Sequence, residues 1–392
     1  MDIKELLRLA IQANASDLHV KVGSPPVLRI NGSLTPMLEY KRIMPEDIVA
    51  IASSLMNEQL KQKFKMDLDV DLAYGLKGVG RFRVNIFQQR GTIGIIFRVI
   101  SFDIKTIREL NLPLVVEKLS METRGLILVT GVTGSGKSTT LAGIIDYINS
   151  NRNENIITVE DPIEYLYRDK KSLISQREVG ADARSFATAL RSALRQDPDV
   201  ILVGEMRDLE TIETAITAAE TGHLVLSTLH TLDATETINR VISVFPPYQQ
   251  KQIRLQLASV IRGIISQRLV PKIDGKGLIP AVEVMVSTAK IRACIIEKDK
   301  TSQIREAMAA GLSQYGMQTF DQSLMMLYAK KLISYEDALG LSSNPEDFAL
   351  KCSGIQSTGD VSWEDFEKNL IEKDVDKVDK DDGIERIEIE KF

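Results

Sequence analysis

The stretch LILVTGVTGSGKSTT (126–140) joins a short apolar run to a glycine-rich turn and the start of a helical pattern. Within it, GVTGSGKS (131–138) fits the spacing G-x-x-x-x-G-K-[ST] between a strand and a helix. Its three glycines allow the backbone to curl, so that N–H groups face an anion at the helix N-terminus. Lys137 can reach the β- and γ-phosphates of a nucleotide, and the Ser138 hydroxyl can ligate Mg²⁺. The predicted nucleotide-binding residues are Thr133, Gly134, Ser135, Gly136, Lys137, Ser138 and Thr139.

Apolar runs flank this loop and alternate with helical patterns. They are LILVT (126–130), IITVE (156–160), VILVGE (200–205) and LVLSTLH (224–230). Continuous apolar runs of this length are typical of parallel strands that are buried on both faces. The alternation with helices predicts a doubly wound α/β domain.

Acidic residues and a histidine stand where these predicted strands end. Glu205 follows one strand and could orient Mg²⁺ or the attacking water, because ligands bind at the carboxyl ends of strands in such sheets. A second strand ends in the acid-rich segment EDPIE (160–164), and spacing does not decide which of its carboxylates polarises a water. His230 ends a third strand and is a candidate γ-phosphate sensor, although a histidine in this position is more often structural. His223 precedes that strand and is the weaker candidate.

The segment 1–100 has a different pattern, that of a small α+β domain with a helix and short extended runs. In RFRVNIF (81–87), Phe82, Val84 and Ile86 alternate with polar residues, which predicts a strand with one buried face. Arg81 and Arg83 therefore lie together on its other face. A polar segment at 101–115 predicts a linker to the core, residues 116–270.

Helical patterns at 249–270, 288–312 and 320–340 predict an α-rich C-terminal part, residues 271–352. Beyond it, residues 353–392 form an acidic tail that is predicted to be disordered. The tail accounts for the whole net negative charge: residues 361–392 hold 12 acidic and 6 basic side chains, whereas the whole chain has a net charge of −5.

The composition excludes several classes of protein. The nearly neutral body does not favour a dedicated nucleic-acid binder. The 2 cysteines are too few for a disulfide framework or a four-cysteine zinc site. The N-terminus lacks the layout of a signal peptide, and no apolar run is long enough to span a bilayer. We therefore expect a soluble cytoplasmic protein.

Four stretches in this order resemble the secretion-superfamily hexameric ATPases: GVTGSGKS (131–138), ITVEDPIEY (157–165), RQDPDVILVGEMRD (195–208) and AETGHLVLSTLHT (219–231). Further signatures resemble the PilT-type retraction ATPases of type IV pili. They are SDLHV (16–20), SPPVLRINGSL (24–34), VFPPYQQ (244–250) and GMQTFDQSL (316–324). The resemblance extends from residue 1 to about residue 355.

The resemblance implies an N-terminal PAS-like α+β domain, a RecA-like P-loop ATPase core and an α-rich C-terminal part, assembled as a cytoplasmic homo-hexamer. It implies hydrolysis of ATP with Mg²⁺, and pilus retraction through an inner-membrane platform protein. Arg81 and Arg83, with Arg98 a further candidate, match arginines that approach the phosphates. Glu164 matches the proposed catalytic acid, and Glu205 matches the acid of the second acidic strand, with Ser138 and Glu205 as metal ligands.

One departure keeps alternatives open. Retraction ATPases carry a motif close to AIRNLIRE, whereas this chain has AKIRACIIEKDK (289–300). A helix with Ile291, Ile295 and Ile296 on one face could still dock against a neighbour. A PilU-like accessory ATPase is therefore an alternative. An assembly ATPase is disfavoured by the missing tetracysteine motif, a RecA-like nucleic-acid motor by the neutral body, and a non-hydrolysing subunit by Lys137, Ser138 and Glu205.

Overall fold

Two β-sheets organise the part of the chain that the computed structural model describes, which comprises residues 2–30, 32–100 and 103–352. One sheet has six strands and is formed by the N-terminal hundred residues. The other has seven strands and contains the predicted phosphate loop. The predicted disordered tail, 353–392, lies outside the described residues.

The six-stranded sheet is antiparallel, with the order β3-β2-β1-β6-β5-β4. Its strands are β1 (Asp17–Lys21), β2 (Val27–Ile30), β3 (Ser33–Pro36), β4 (Asp69–Leu76), β5 (Gly80–Gln89) and β6 (Thr92–Ile100). Its helices are α1 (Ile3–Gln12), α2 (Pro45–Leu55) and α3 (Glu58–Asp67). The predicted α+β character of this region is confirmed.

Strand β5 shows why the sheet has two unlike faces. Phe82, Val84 and Ile86 are fully buried in the core under the sheet. Arg81 and Arg83 alternate with them and are partly exposed on the other face. Because side chains alternate along a strand, the period of two in the sequence correctly predicted this arrangement.

The seven-stranded sheet has the order β13-β12-β7-β11-β10-β8-β9. Its strands are β7 (Gly125–Thr130), β8 (Asn155–Glu160), β9 (Leu173–Glu178), β10 (Val200–Val203), β11 (Leu224–Leu229), β12 (Ile261–Pro271) and β13 (Leu278–Val286). From β12 to β9 the neighbouring strands are parallel. Every residue of β7, β10 and β11 is buried, so this sheet offers its polar side chains mainly at strand ends.

Helices connect and follow these strands. They are α4 (Val115–Ser120), α5 (Lys137–Asn151), α6 (Phe186–Ala193), α7 (Leu209–Glu220), α8 (Ala234–Ser243), α9 (Gln250–Val260), α10 (Ala289–Ile296), a 3₁₀-helix (Lys298–Gln303), α11 (Ile304–Ala310), α12 (Leu312–Tyr315), α13 (Phe320–Ala329), α14 (Tyr335–Leu341) and α15 (Pro345–Cys352). Among the described residues, none of these helices has the length and apolar character required to cross a bilayer.

The helix predicted over 249–270 is wrong in its second half. It ends at Val260, and the chain continues as strand β12, which pairs in parallel with β7. Short apolar runs fit a buried helix and a buried strand equally well, and pairing with β7 decides between them. Strand β13 likewise lies within the segment that was expected to be α-rich.

The chain divides into two compact units. The first comprises the described residues from 2 to 268 and from 282 to 318, and the second comprises those from 269 to 281 and from 319 to 352. The second unit has its own apolar core, which consists of Val270, Ile279, Ala281, Phe320, Leu324, Ile333, Ala338 and Phe348. The expected limits of the N-terminal domain, the linker and the core stay predictions.

Candidate nucleotide-binding site

The phosphate loop lies between β7 and α5, as the sequence pattern predicted. Gly131, Gly134 and Gly136 all have positive φ, at 144°, 81° and 92°. A Cβ on Gly131 would lie 2.5 Å from Ser135 Oγ and 2.6 Å from the Gln267 carbonyl oxygen, so only glycine fits there. Helix α5 begins at Lys137, and the loop therefore curls around a helix N-terminus.

Lys137 is held inside this loop. Its Nζ donates to the carbonyl oxygens of Gly131, at 2.8 Å, and Val132, at 3.0 Å. Burial lowers the pKa of Lys137 from its usual value, and electrostatic interaction with Glu164 and Glu205 opposes that shift. The structure thus brings both candidate acids near the lysine of the phosphate loop.

The two glutamates of the acid-rich segment have different environments. Glu160 is 8% exposed and accepts hydrogen bonds from Thr158 Oγ1, at 2.6 Å, and from Gln176 Nε2, at 3.2 Å. Burial raises the pKa of Glu160, and these bonds oppose the shift. Glu164 is exposed and interacts with Lys137. Glu160 is therefore engaged in the interior, and Glu164 is better placed to meet a water.

Glu205 and His230 lie close together after neighbouring strands. Glu205 Oε2 is 3.6 Å from His230 Nε2, and its other oxygen is 2.7 Å from Arg207 Nε. His223 lies at the opposite end of β11, where its Nδ1 is 2.8 Å from the Ala218 carbonyl oxygen. Its contacts are those of a structural histidine, whereas His230 lies at the edge with the acids.

The three candidate arginines separate into two groups. Arg81 Nη2 is 3.3 Å from Glu178 Oε2, at the carboxyl end of β9. Arg83 is instead 3.7 Å from Asp71 within the N-terminal sheet.

Arg98 resembles Arg83, because its Nε is 3.0 Å from the buried Asp17, in the same sheet. Only Arg81 of the three candidates therefore has its described contact at the edge where the phosphate loop lies.

Hydrogen bonds link the start of α5 to the segments beside it. Thr139 Oγ1 is 2.9 Å from the Tyr165 hydroxyl, which joins the start of α5 to the acid-rich segment. Gln267 Nε2 donates to Thr140 Oγ1 at 2.8 Å, which joins β12 to the same helix. These contacts fix the start of α5 relative to the acid-rich segment and to β12.

Comparison with known proteins shows which family this chain belongs to. The family model described as type II/IV secretion system protein matches residues 1–314. The type IV pilus retraction ATPase PilT of Pseudomonas aeruginosa is 47% identical over 352 residues, which cover 89% of this chain and 100% of that protein. The chain belongs to this secretion family and to its PilT-type group.

Other members of the family support the assignment. The type IV pilus ATPase PilU of P. aeruginosa is 40% identical over 92% of this chain and 94% of its own length. A crystal structure of the retraction motor PilT with bound ADP has a TM-score of 0.82 and 48% identity, and covers 88% of this chain and 98% of that one. The Legionella pneumophila ATPase DotB has a TM-score of 0.69 at 30% identity. The α/β fold of the family is therefore that of this chain.

The donor set at the site fits a magnesium ion that is shared with phosphates. No group of three or more His, Cys, Asp or Glu side chains in the described ranges could hold a metal on protein ligands alone. Ser138 and Glu205 provide a hydroxyl and a carboxylate, and the interaction of Glu205 with Lys137 places it beside the phosphate loop. Mg²⁺ typically takes one or two protein oxygens together with phosphate oxygens and water.

Sequence reasoning missed two residues at this edge. Arg207 follows Glu205 by two positions, and its place after a strand end was a usable signal. Glu178 ends β9, a strand that the sequence analysis did not predict. Nothing local indicates that Glu178 lies against Arg81, which is 97 residues away.

Proposed function

We propose that the chain is an ATP-hydrolysing motor of type IV pilus retraction, which acts as a homo-hexamer at the cytoplasmic face of the inner membrane on a pilus platform protein. The convergence of Lys137, Glu164 and Glu205 at one sheet edge carries the enzymatic part. The full-length match to PilT supports the biological part.

In this mechanism the phosphate loop binds the triphosphate, and Lys137 balances charge on the β- and γ-phosphates. Ser138 and Glu205 would hold Mg²⁺, and the bound ion would supply positive charge to neutralise the phosphates. Glu164 accepts the proton of the attacking water. His230 contacts the γ-phosphate and so couples its presence to Glu205, its neighbour at 3.6 Å.

Arginines of the N-terminal sheet complete this site. Arg81 approaches the phosphates when the N-terminal domain closes on the core, with Arg83 and Arg98 as further candidates. Closure and reopening of this kind are gating steps that convert hydrolysis into movement of a partner.

Helix α10 is the candidate surface for retraction. The predicted docking face formed by Ile291, Ile295 and Ile296 is wrong, because Ile291 and Ile295 are buried in the core of their own unit. Arg292 and Ile296 are among the exposed residues of the segment 289–300, and Ile296 is 42% exposed. The interior side chains keep the helix in place, which leaves the exposed ones to meet a partner.

The end of α10 is also anchored by a buried arginine. Arg254 Nη1 donates to the Ile295 carbonyl oxygen at 2.8 Å and to Thr301 Oγ1 at 3.1 Å. Combined replacement of Arg292 and Ile296 by alanine should therefore preserve ATP hydrolysis and abolish twitching. Parallel loss of both activities would show that α10 is required for catalysis and not only for retraction.

A PilU-like accessory ATPase is the second candidate. It is favoured by the 40% identity to PilU and by the altered α10 motif, in which Ala293, Cys294 and Ile296 replace the usual residues. An accessory motor would leave basal retraction intact when it is deleted.

Deletion of the gene decides between these functions. We expect more surface pili and no twitching, with restoration by the wild-type gene but not by Glu205→Gln. Unchanged piliation would favour the accessory motor, and cells without pili would identify an assembly ATPase.

A further inference from the structure

One carboxylate oxygen of Glu178, at the end of β9, contacts both strand β5 and the acid-rich segment. Glu178 ends β9 in register with Glu160 at the end of β8, so it lies at the same edge of the sheet as the candidate catalytic acids. Its Oε2 is 3.3 Å from Arg81 Nη2 and accepts a hydrogen bond from the backbone N–H of Ile163 at 3.4 Å. Ile163 immediately precedes Glu164. The N-terminal sheet and the acid-rich segment therefore meet at this oxygen.

The backbone around Glu178 is well fixed. Its N–H donates to Asp182 Oδ2 at 2.9 Å, and the next N–H, of Val179, donates to the Glu160 carbonyl oxygen at 2.8 Å. The turn closes with a bond from the Gly180 N–H to the Ala183 carbonyl oxygen at 2.7 Å. The carboxylate is only 11% exposed, so it is an anchor of fixed position rather than a mobile surface acid.

Arg81 has hydrogen-bonding capacity beyond this pair. A guanidinium has five N–H donors in a planar fork, and the pair with Glu178 uses Nη2. Its Nε is buried and has no hydrogen-bond partner among the described residues. An arginine that a carboxylate holds through one nitrogen still has N–H donors left over, and such a planar fork is well suited to bind phosphate oxygens.

We propose that Glu178 is a positioning residue for nucleotide binding, which orients the Arg81 guanidinium toward the phosphates and ties it to the segment that carries Glu164. This inference rests on the proposed function, because it takes a nucleoside triphosphate as the ligand. Glu178 itself does not touch the nucleotide. It acts through Arg81, and its effect should vanish when Arg81 is absent.

A double-mutant cycle tests this coupling. Glu178→Gln keeps an oxygen that can accept from Ile163 and removes the charge that holds Arg81. We expect Glu178→Gln and Arg81→Gln each to weaken binding of a non-hydrolysable ATP analogue, and to raise the KM for ATP, by about five- to tenfold. The double variant should bind within about twofold of Arg81→Gln alone.

Arg83→Gln is the matched control, because Arg83 lies two residues along the same strand face and pairs with Asp71. When Arg83→Gln is combined with Glu178→Gln, the fold-changes in binding affinity of the two single variants should multiply. If the fold-changes in binding affinity for Glu178→Gln and Arg81→Gln also multiply in the double variant, Glu178 is a structural residue and the proposal is wrong. Tighter binding by Glu178→Gln would also overturn it, since the carboxylate would then compete with the phosphates.

Two further measurements keep the outcomes distinct. Thermal unfolding of each variant should stay close to that of the wild type, and Glu178→Asp should recover part of the affinity if the charge is what orients Arg81. If the wild-type protein neither binds nor hydrolyses ATP, the proposed function fails. If it does both and the cycle shows no coupling, only the role of Glu178 fails.

Discussion

The two sheets of this protein expose functional side chains in opposite ways. In the parallel sheet, β7, β10 and β11 are buried throughout, and the candidate residues follow strand ends, as Lys137 and Glu205 do. In the antiparallel sheet, polar residues alternate along β5 and lie on a strand face, as Arg81 does. A sheet covered on both faces leaves its ends for chemistry, whereas a sheet with one open face can present side chains along a strand.

The largest effect should come from the edge of the parallel sheet. Lys137→Ala removes a buried positive charge from the glycine-rich loop, and under the proposed function should lower ATP hydrolysis by at least on the order of a thousandfold. The fold should persist, because Lys137 Nζ hydrogen-bonds to carbonyl oxygens of its own loop. A phosphate-release assay and circular dichroism check both expectations. Lys171→Ala, at an exposed lysine, is the control, and unchanged turnover in Lys137→Ala would contradict the assignment of the loop.

Glu205→Gln probes the same edge without removing a phosphate-loop residue. It should lower kcat by about a hundredfold to a thousandfold, because under the proposed mechanism Glu205 is the carboxylate that positions the metal or the attacking water. Binding of the ATP analogue should stay close to the wild-type value. Single-turnover kinetics and titration separate the two quantities. A loss of binding equal to the loss of kcat would make Glu205 a binding residue instead.

In the antiparallel sheet, the effect of a substitution on the free energy of unfolding should instead alternate from one residue of β5 to the next. Phe82→Ala empties a fully buried position and should cost about 3–5 kcal/mol of unfolding free energy. Asn85→Ala, on the open face, removes a hydrogen bond from Asn85 Nδ2 to Asp69 and should cost about 0.5–1 kcal/mol. Urea denaturation measures both. Equal losses would mean that the open face is covered as well.

Glu283 is an exception to the rule that the parallel sheet keeps its polar groups at strand ends. It lies within β13, is 4% exposed, and accepts a hydrogen bond from the Ala234 N–H at 2.9 Å. Burial raises the pKa of Glu283 to about 7, from about 4.5 in the unfolded chain. The folded state therefore holds a proton that the unfolded chain releases, and stability falls as pH rises from about 4.5 through 7.

This exception predicts a pH effect on the free energy of unfolding of at most about 3–4 kcal/mol, because the pKa of Glu283 rises from about 4.5 to about 7 on folding. Relative to Glu283→Gln, the wild-type protein should lose thermal stability between pH 5 and pH 8. Thermal unfolding midpoints at four pH values measure the difference. Glu213→Gln, at an exposed position on α7, should parallel the wild type. If the difference in unfolding midpoint between wild type and Glu283→Gln stays constant from pH 5 to pH 8, this buried acid does not titrate in that range.

Much of this molecule follows from local patterns in the sequence. The glycine spacing at 131–136 predicted the phosphate loop, because positive φ at those positions requires residues without a side chain. The alternation in 81–87 predicted the two faces of β5, because side chains in a strand alternate by simple geometry. The four apolar runs around the loop predicted the buried parallel strands.

Only the tertiary structure decided which distant groups meet. It made Ile261–Pro271 a strand, since pairing with β7 outweighed an ambiguous apolar run. It buried Ile291 and Ile295 in the core, and it placed Glu178 against Arg81. A local pattern is determined by a residue and its near neighbours, whose steric limits are the same in any protein. A contact across a hundred residues depends on how whole elements pack, and no short stretch of sequence contains that information.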